Sequence, residues 1–148
     1  MGSVHSERDR AALRRRVESL TGVSAARWGR MSVASMLTHL CRSARMGLGE
    51  LAVKPGHRRA FQVFPLKHLL LYVLPFPHEA PTAPELLAPE AGSFEAERRS
   101  LLELLERAGS GSTQGQGPVH PLFGQLSRRE WGVLLHKHMS HHLSQFGA

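Results

Sequence analysis

The chain of 148 residues contains one cysteine, one tyrosine and only 6% aromatic residues. A lone cysteine, Cys41, cannot close an internal disulfide, so nothing in the composition points to an oxidising compartment. With aromatics scarce, Leu, Ala, Val and Met must fill the interior, a mix that suits helices better than strands. Long apolar runs are also missing. The longest, from Leu66 to Phe76, is interrupted by Lys67, His68 and Pro75 and falls well short of the ~20 residues of a membrane span. The opening MGSVHSERDR has no apolar stretch of the kind a signal peptide needs, which makes a cytoplasmic location the expectation. There is no Ser-His-Asp order, no pair of catalytic carboxylates and no phosphate-cradling glycine loop. Each of these absences removes a familiar class of active site.

Apolar residues make up 41% of the chain and charged residues 21%, near the averages of globular proteins, and the length suits one domain spanning residues 1–148. The net charge of +7 raises the question of an acidic partner. Its carriers are scattered, however: Arg14 to Arg16, Arg58-Arg59, Arg98-Arg99 and Arg128-Arg129 lie in four segments, and no aromatics interleave with them as a base-stacking surface requires. That distribution argues against a nucleic-acid partner. The expected partner is a small molecule, with no membrane engaged and a homodimer as the alternative to a monomer.

Capping signals predict the helices. Ser6, with Asp9 three residues on, starts a helix that runs to about Leu20 and ends at Thr21-Gly22. Ser32 caps a second to about Leu48, closed by Gly49, with Met31 and Met36 at staple spacing. The proline-rich stretch from Val53 to Pro89 leaves room for one short helix, about Leu66 to Leu74. A third long helix is predicted from Ser93 to Ala108, with Leu101, Leu102, Leu104 and Leu105 on its apolar face. Residues 108–118, AGSGSTQGQGP, have the composition of a flexible linker. The last helix begins at the capping box Ser127-Arg128-Arg129-Glu130, with Leu126 and Trp131 at the staple positions.

That capping box sets the phase of the closing helix. At about 100° per residue, Trp131, Leu134 and Leu135 form an inward stripe, with His138 near its centre and His142 one turn further along. His141 falls at the stripe's edge and His136 on the opposite side. Imidazoles at i and i+4 are close enough to share one ion, although inward imidazoles can equally be hydrogen-bonded core residues. Neutral imidazole is required for donation, so binding by such a pair should weaken between neutral pH and about pH 5.

Several segments carry a family resemblance. Trp28-Gly29-Arg30-Met31-Ser32 leads into Met36-Leu37-Thr38-His39-Leu40. Pro81-Thr82-Ala83-Pro84-Glu85-Leu86-Leu87 follows, then His120-Pro121-Leu122-Phe123-Gly124, Trp131, and His138-Met139-Ser140-His141-His142-Leu143-Ser144-Gln145-Phe146. Together they resemble the DinB/YfiT-like superfamily, and more narrowly an uncharacterised subfamily of it. The resemblance implies an all-α fold: a DinB-like four-helix bundle with a proline-rich loop segment and one short extra helix. It also implies a metal site of one histidine from an early helix and two from the last, which in this chain are His39, His138 and His142, around zinc or nickel. Helix phase supports His39 less directly, because Met36, Leu37, Leu40 and Ala44 place the apolar stripe beside it.

Three neutral imidazoles leave a coordination position open for water or substrate. Gln145 and His141 lie near the pair, either as hydrogen-bond partners of the ligands or as ordinary helix-end residues. Cys41 projects away from His39 and reads as a core residue. Characterised relatives in the superfamily imply a metal-dependent thiol S-transferase using a low-molecular-weight thiol. The alternatives are a metal-dependent hydrolase and a non-catalytic metal-binding or stress-associated protein.

Overall fold

The computed structural model describes residues 1–54, 56–78 and 92–148. The part of the proline-rich stretch that carries Pro81, Pro84 and Pro89, with its share of the family resemblance, lies outside the described residues. The first two helices, α1 (Glu7–Glu18) and α2 (Val33–Gly47), begin where side chains can satisfy the free N–H groups of the first turn. The Ser6 hydroxyl accepts from the Asp9 N–H and the Ser32 hydroxyl from the Ser35 N–H. A 3₁₀ turn at Arg59–Gln62 precedes α3 (Leu66–His68), which runs directly into a π-helical turn at Leu69–Val73. Ser93 then caps α4 (Phe94–Ser110) through the Ala96 N–H.

The fold departs from the expected all-α four-helix bundle. Strands β1 (Gln116–His120) and β2 (Gly124–Ser127) pair antiparallel, so the architecture is a mixed one of helices with a small two-stranded sheet. Part of the segment read as linker is therefore a strand, paired Gln116 to Ser127, Val119 to Gln125 and His120 to Gly124, with a register irregularity between Gln116 and Val119. Composition hid this strand because its stabilisation is not its own apolar burial. The Trp131 indole donates to the Pro118 carbonyl at 2.7 Å, and Gly117 lies so close to that ring that a Cβ there would fall 2.6 Å from Cδ1. At the hairpin's tip the His120 Nδ1 accepts from the Leu122 and Phe123 N–H groups at 3.0 and 3.1 Å, and Gly124 adopts φ +66°.

The hairpin leads straight into α5 (Arg128–Gln145), whose capping box is complete: Ser127 Oγ accepts from the Glu130 N–H and Glu130 accepts from the Ser127 N–H. The core is shared by Leu13 and Val17 of α1, Met36, Leu37 and Leu40 of α2, Leu101 and Leu105 of α4, and Leu135, Met139 and Leu143 of α5. Burying aliphatic side chains of this size stabilises a fold by roughly 1.5–3 kcal/mol each. Helix α2 packs against both α4 and α5, and that position decides the exposure of His39. No helix among the described residues is long and apolar enough to cross a membrane.

A candidate metal centre between two helices

The inward stripe of α5 continues from buried Trp131, Leu134 and Leu135 to His138 and then His142. His39 faces them from α2, buried to 4% exposure. The apolar stripe of α2 runs beside His39 as its spacing indicates, but α2 touches two neighbours, and the side turned to α5 holds the imidazole. The three rings meet edge to face: centroids lie 4.8 Å apart for His39 and His138, 4.7 Å for His39 and His142, and 4.9 Å for His138 and His142. One ligand atom from each falls within 4.8 Å of the other two, so the three-histidine group could hold a metal ion.

The donor set fits such an ion. His39 Nε2 and His138 Nε2 are 2.9 Å apart. Two nitrogens each bound to one zinc-sized ion at about 2.0–2.1 Å are separated by roughly 2.9–3.4 Å for angles between perpendicular and tetrahedral. The remaining ring nitrogens of the α5 pair are held from behind. His142 Nδ1 donates to Gln145 Oε1 at 2.8 Å, which leaves the Nε2 lone pair of His142 available. The Gln145 amide is itself oriented, since its Nε2 donates to the Trp28 carbonyl at 2.9 Å. His138 Nδ1 lies 2.9 Å from Ser43 Oγ; with the proton on Nδ1, that hydroxyl accepts it and Nε2 is again the donor atom. Such outer partners set tautomer and ring angle.

Electrostatics favour neutral rings. Burial pushes His138 well below the usual imidazole range, and the nearby His39 and His142 push it further. His142 falls to about 4 through burial and then through His39, with its bond to Gln145 opposing the shift. Near neutral pH the pair therefore offers lone pairs and not positive charge.

The other histidines separate clearly. His141 stands at the edge of the group, its ring 5.1 Å from His142, 5.9 Å from Trp28 and 6.0 Å from Phe76. Burial, and next the nearby His78, lower its pKa. His136 lies on the far side of α5 against Gly2, with Asp9 near enough to act on its charge. Cys41 is fully buried, donates to the Glu97 carbonyl at 3.4 Å, and has its thiol pushed up to about 12, mainly by burial. It is a core residue facing away from the centre.

Sequence reasoning missed three contributors. Ser43 lies one turn beyond His39 on the same face of α2, and that spacing is the signal that could have found it. Phe76 and His78 carried no local signal. Phe76 sits with its centroid 6.2 Å from that of His138, while His78 stacks on Trp28 at 4.2 Å.

Ser43→Ala and Gln145→Leu are each expected to weaken divalent-ion binding by about 10- to 100-fold, the usual effect of losing an outer partner. Isothermal titration with zinc checks this, and unchanged affinity in both variants would show that these two residues do not orient the ligands.

No curated protein and no solved structure matches the chain. Residues 6–148 match the family described as "Protein of unknown function (DUF1569)". That match covers nearly the whole length, and the chain belongs to this family.

Proposed function

We propose that the protein is an enzyme dependent on a divalent metal, zinc or nickel, and that it transfers a low-molecular-weight thiol to an electrophile. The observation that carries this reading is the convergence of three imidazole donors, with His39 buried while His138 and His142 keep a partly exposed edge. Structural zinc sites normally have four protein ligands, and three leave a position for another molecule. The resemblance to the DinB/YfiT-like superfamily points the same way.

In this reading His39, His138 and His142 hold the ion, and Ser43 and Gln145 fix the angle of two of them. When bound, such an ion supplies Lewis acidity that favours thiolate over thiol near neutral pH. Phe76, Trp28 and the His78 ring stacked on it form an aromatic rim that limits water and gives an apolar substrate a surface. The Trp28 Nε1 is buried with no partner among the described residues, so a substrate oxygen accepting from it would satisfy a costly orphan donor. His141, kept neutral by burial, stands beside the group and can take up the proton of the incoming thiol.

The test is cobalt substitution followed by a panel of small thiols. A sulfur-to-cobalt charge-transfer band, together with turnover on a generic electrophile, is the expected result. Metal binding with no such band for any thiol would end the transferase reading in favour of hydrolysis. Binding with no turnover of any kind would leave a non-catalytic metal-binding or stress-associated role.

A further inference from the structure

From Leu51 to His78 the chain contains no aspartate or glutamate, while Lys54, Arg58, Arg59 and Lys67 all fall within it. Five of the eight large apolar side chains that stand exposed among the described residues also fall there: Val63, Phe64, Leu69, Val73 and Leu74. Phe64 is 80% exposed, Val73 61% and Val63 58%, an unusual cost for side chains of this kind unless something covers them. They belong to one short stretch of local structure. The Phe64 ring lies 6.1 Å from His68, and His68 lies 4.7 Å from Tyr72. The Leu69 N–H bonds to the Pro65 carbonyl and the Leu74 N–H to that of Leu69.

Cations border this apolar group. Arg58 and Arg59 are exposed at the preceding 3₁₀ turn, and exposed Arg129 lies near enough to Tyr72 to offset part of the rise that burial and then Glu130 impose on its hydroxyl. Lys67 is occupied by Glu130 at 3.3 Å and by the Gln125 carbonyl. The segment is anchored to α5 by Lys137, whose ammonium donates to the carbonyls of Leu70, Leu71 and Leu74 and lies 4.8 Å from the centre of the Phe76 ring. The exposed side chains are thus presented from a fixed base.

We infer that this face docks on an anionic lipid surface, with Phe64, Val63, Val73 and Leu74 entering the headgroup boundary and Arg58, Arg59 and Arg129 meeting lipid phosphates and carboxylates. Charge complementarity selects this occupant over a second copy of the chain. A symmetric dimer through the same patch would bring two cationic borders together, at +7 per chain, whereas apolar side chains bordered by cations match both layers of an anionic interface. This differs from the expectation of no membrane contact, which rested on the shortness of the apolar run. Lying on a surface does not require spanning it.

The experiment is co-sedimentation of the full chain with phosphatidylcholine vesicles and with vesicles also containing phosphatidylserine, at low and high salt. Binding to the anionic vesicles should be at least about tenfold stronger and should fall with salt. The Phe64→Ser, Val73→Ser variant should lose about tenfold or more while keeping its circular dichroism and its zinc binding, since both residues lie outside the metal cluster. An Arg58→Gln, Arg59→Gln variant should lose the preference for phosphatidylserine. Equal binding of parent and Phe64→Ser, Val73→Ser variant overturns the inference. So does a parent that ignores anionic vesicles, or one that dimerises in sedimentation velocity through a contact which the same variant abolishes.

Discussion

Elemental analysis of the His138→Ala, His142→Ala double variant is expected to find no stoichiometric divalent ion, where the parent binds about one per chain. Losing an outer partner of a ligand usually costs 10- to 100-fold in affinity. Removing two of three donor atoms should therefore lower affinity by well over about 100-fold. The same loss should appear in thermal melts. An ion present at about 100 times its dissociation constant stabilises the native state by about 2.7 kcal/mol, which for a chain of this length raises Tm by roughly 5–10 °C. The parent should show that rise with zinc and the double variant should not. Unchanged binding in the double variant would refute the site, whereas unchanged binding in His39→Ala would remove only the third ligand.

Stability of the metal-free protein is expected to fall as pH drops from about 6.5 to about 4. Burial holds His142 and His120 at about 4 in the folded state, while in the unfolded chain each returns to about 6.5. Above 6.5 both states carry neutral rings and the pair adds no pH dependence. Between the two values the unfolded chain binds more protons, so each histidine removes up to about 1.4 kcal/mol of stability per pH unit. His138, lowered in the same direction, adds to the slope. Urea melts at several pH values measure it, and a flat midpoint across this range would refute the buried neutral rings. Metal affinity of the folded protein should accordingly persist below pH 6.5 and weaken only as pH approaches about 4–5. The unperturbed imidazole value places the loss higher, between neutral pH and about 5. A tenfold fall per unit beginning at 6.5, followed by calorimetry, would show that the ligands titrate as exposed imidazoles do.

The helix starts were legible in the sequence because capping is local chemistry. Ser6, Ser32, Ser93 and Ser127 each satisfy N–H groups within three residues, and no distant contact is needed to choose them. The capping box at Ser127 and Glu130 set the phase of α5, so the inward aim of His138 and His142 followed from counting residues. The burial of Cys41 and its separation from His39 on α2 were legible for the same reason.

What required the tertiary structure is whatever depends on a partner far along the chain. The start of β1, Gln116 to Pro118, looks like the end of a linker because Gln, Gly and Pro bury little by themselves. It becomes a strand only when β2 supplies hydrogen bonds and Trp131 covers Gly117 and binds Pro118. His39 sits beside the apolar stripe of its own helix, and only the approach of α5 on that flank turns the position into the third corner of a group that could hold a metal ion. Ser43 gains meaning from His138, 95 residues away in sequence, and Phe76 gains it from that same ring. Helix caps and the i to i+4 pair with its inward aim follow from residues close together in the chain. The sheet, the third imidazole and the aromatic contacts around the group depend on elements that meet only when the chain has packed.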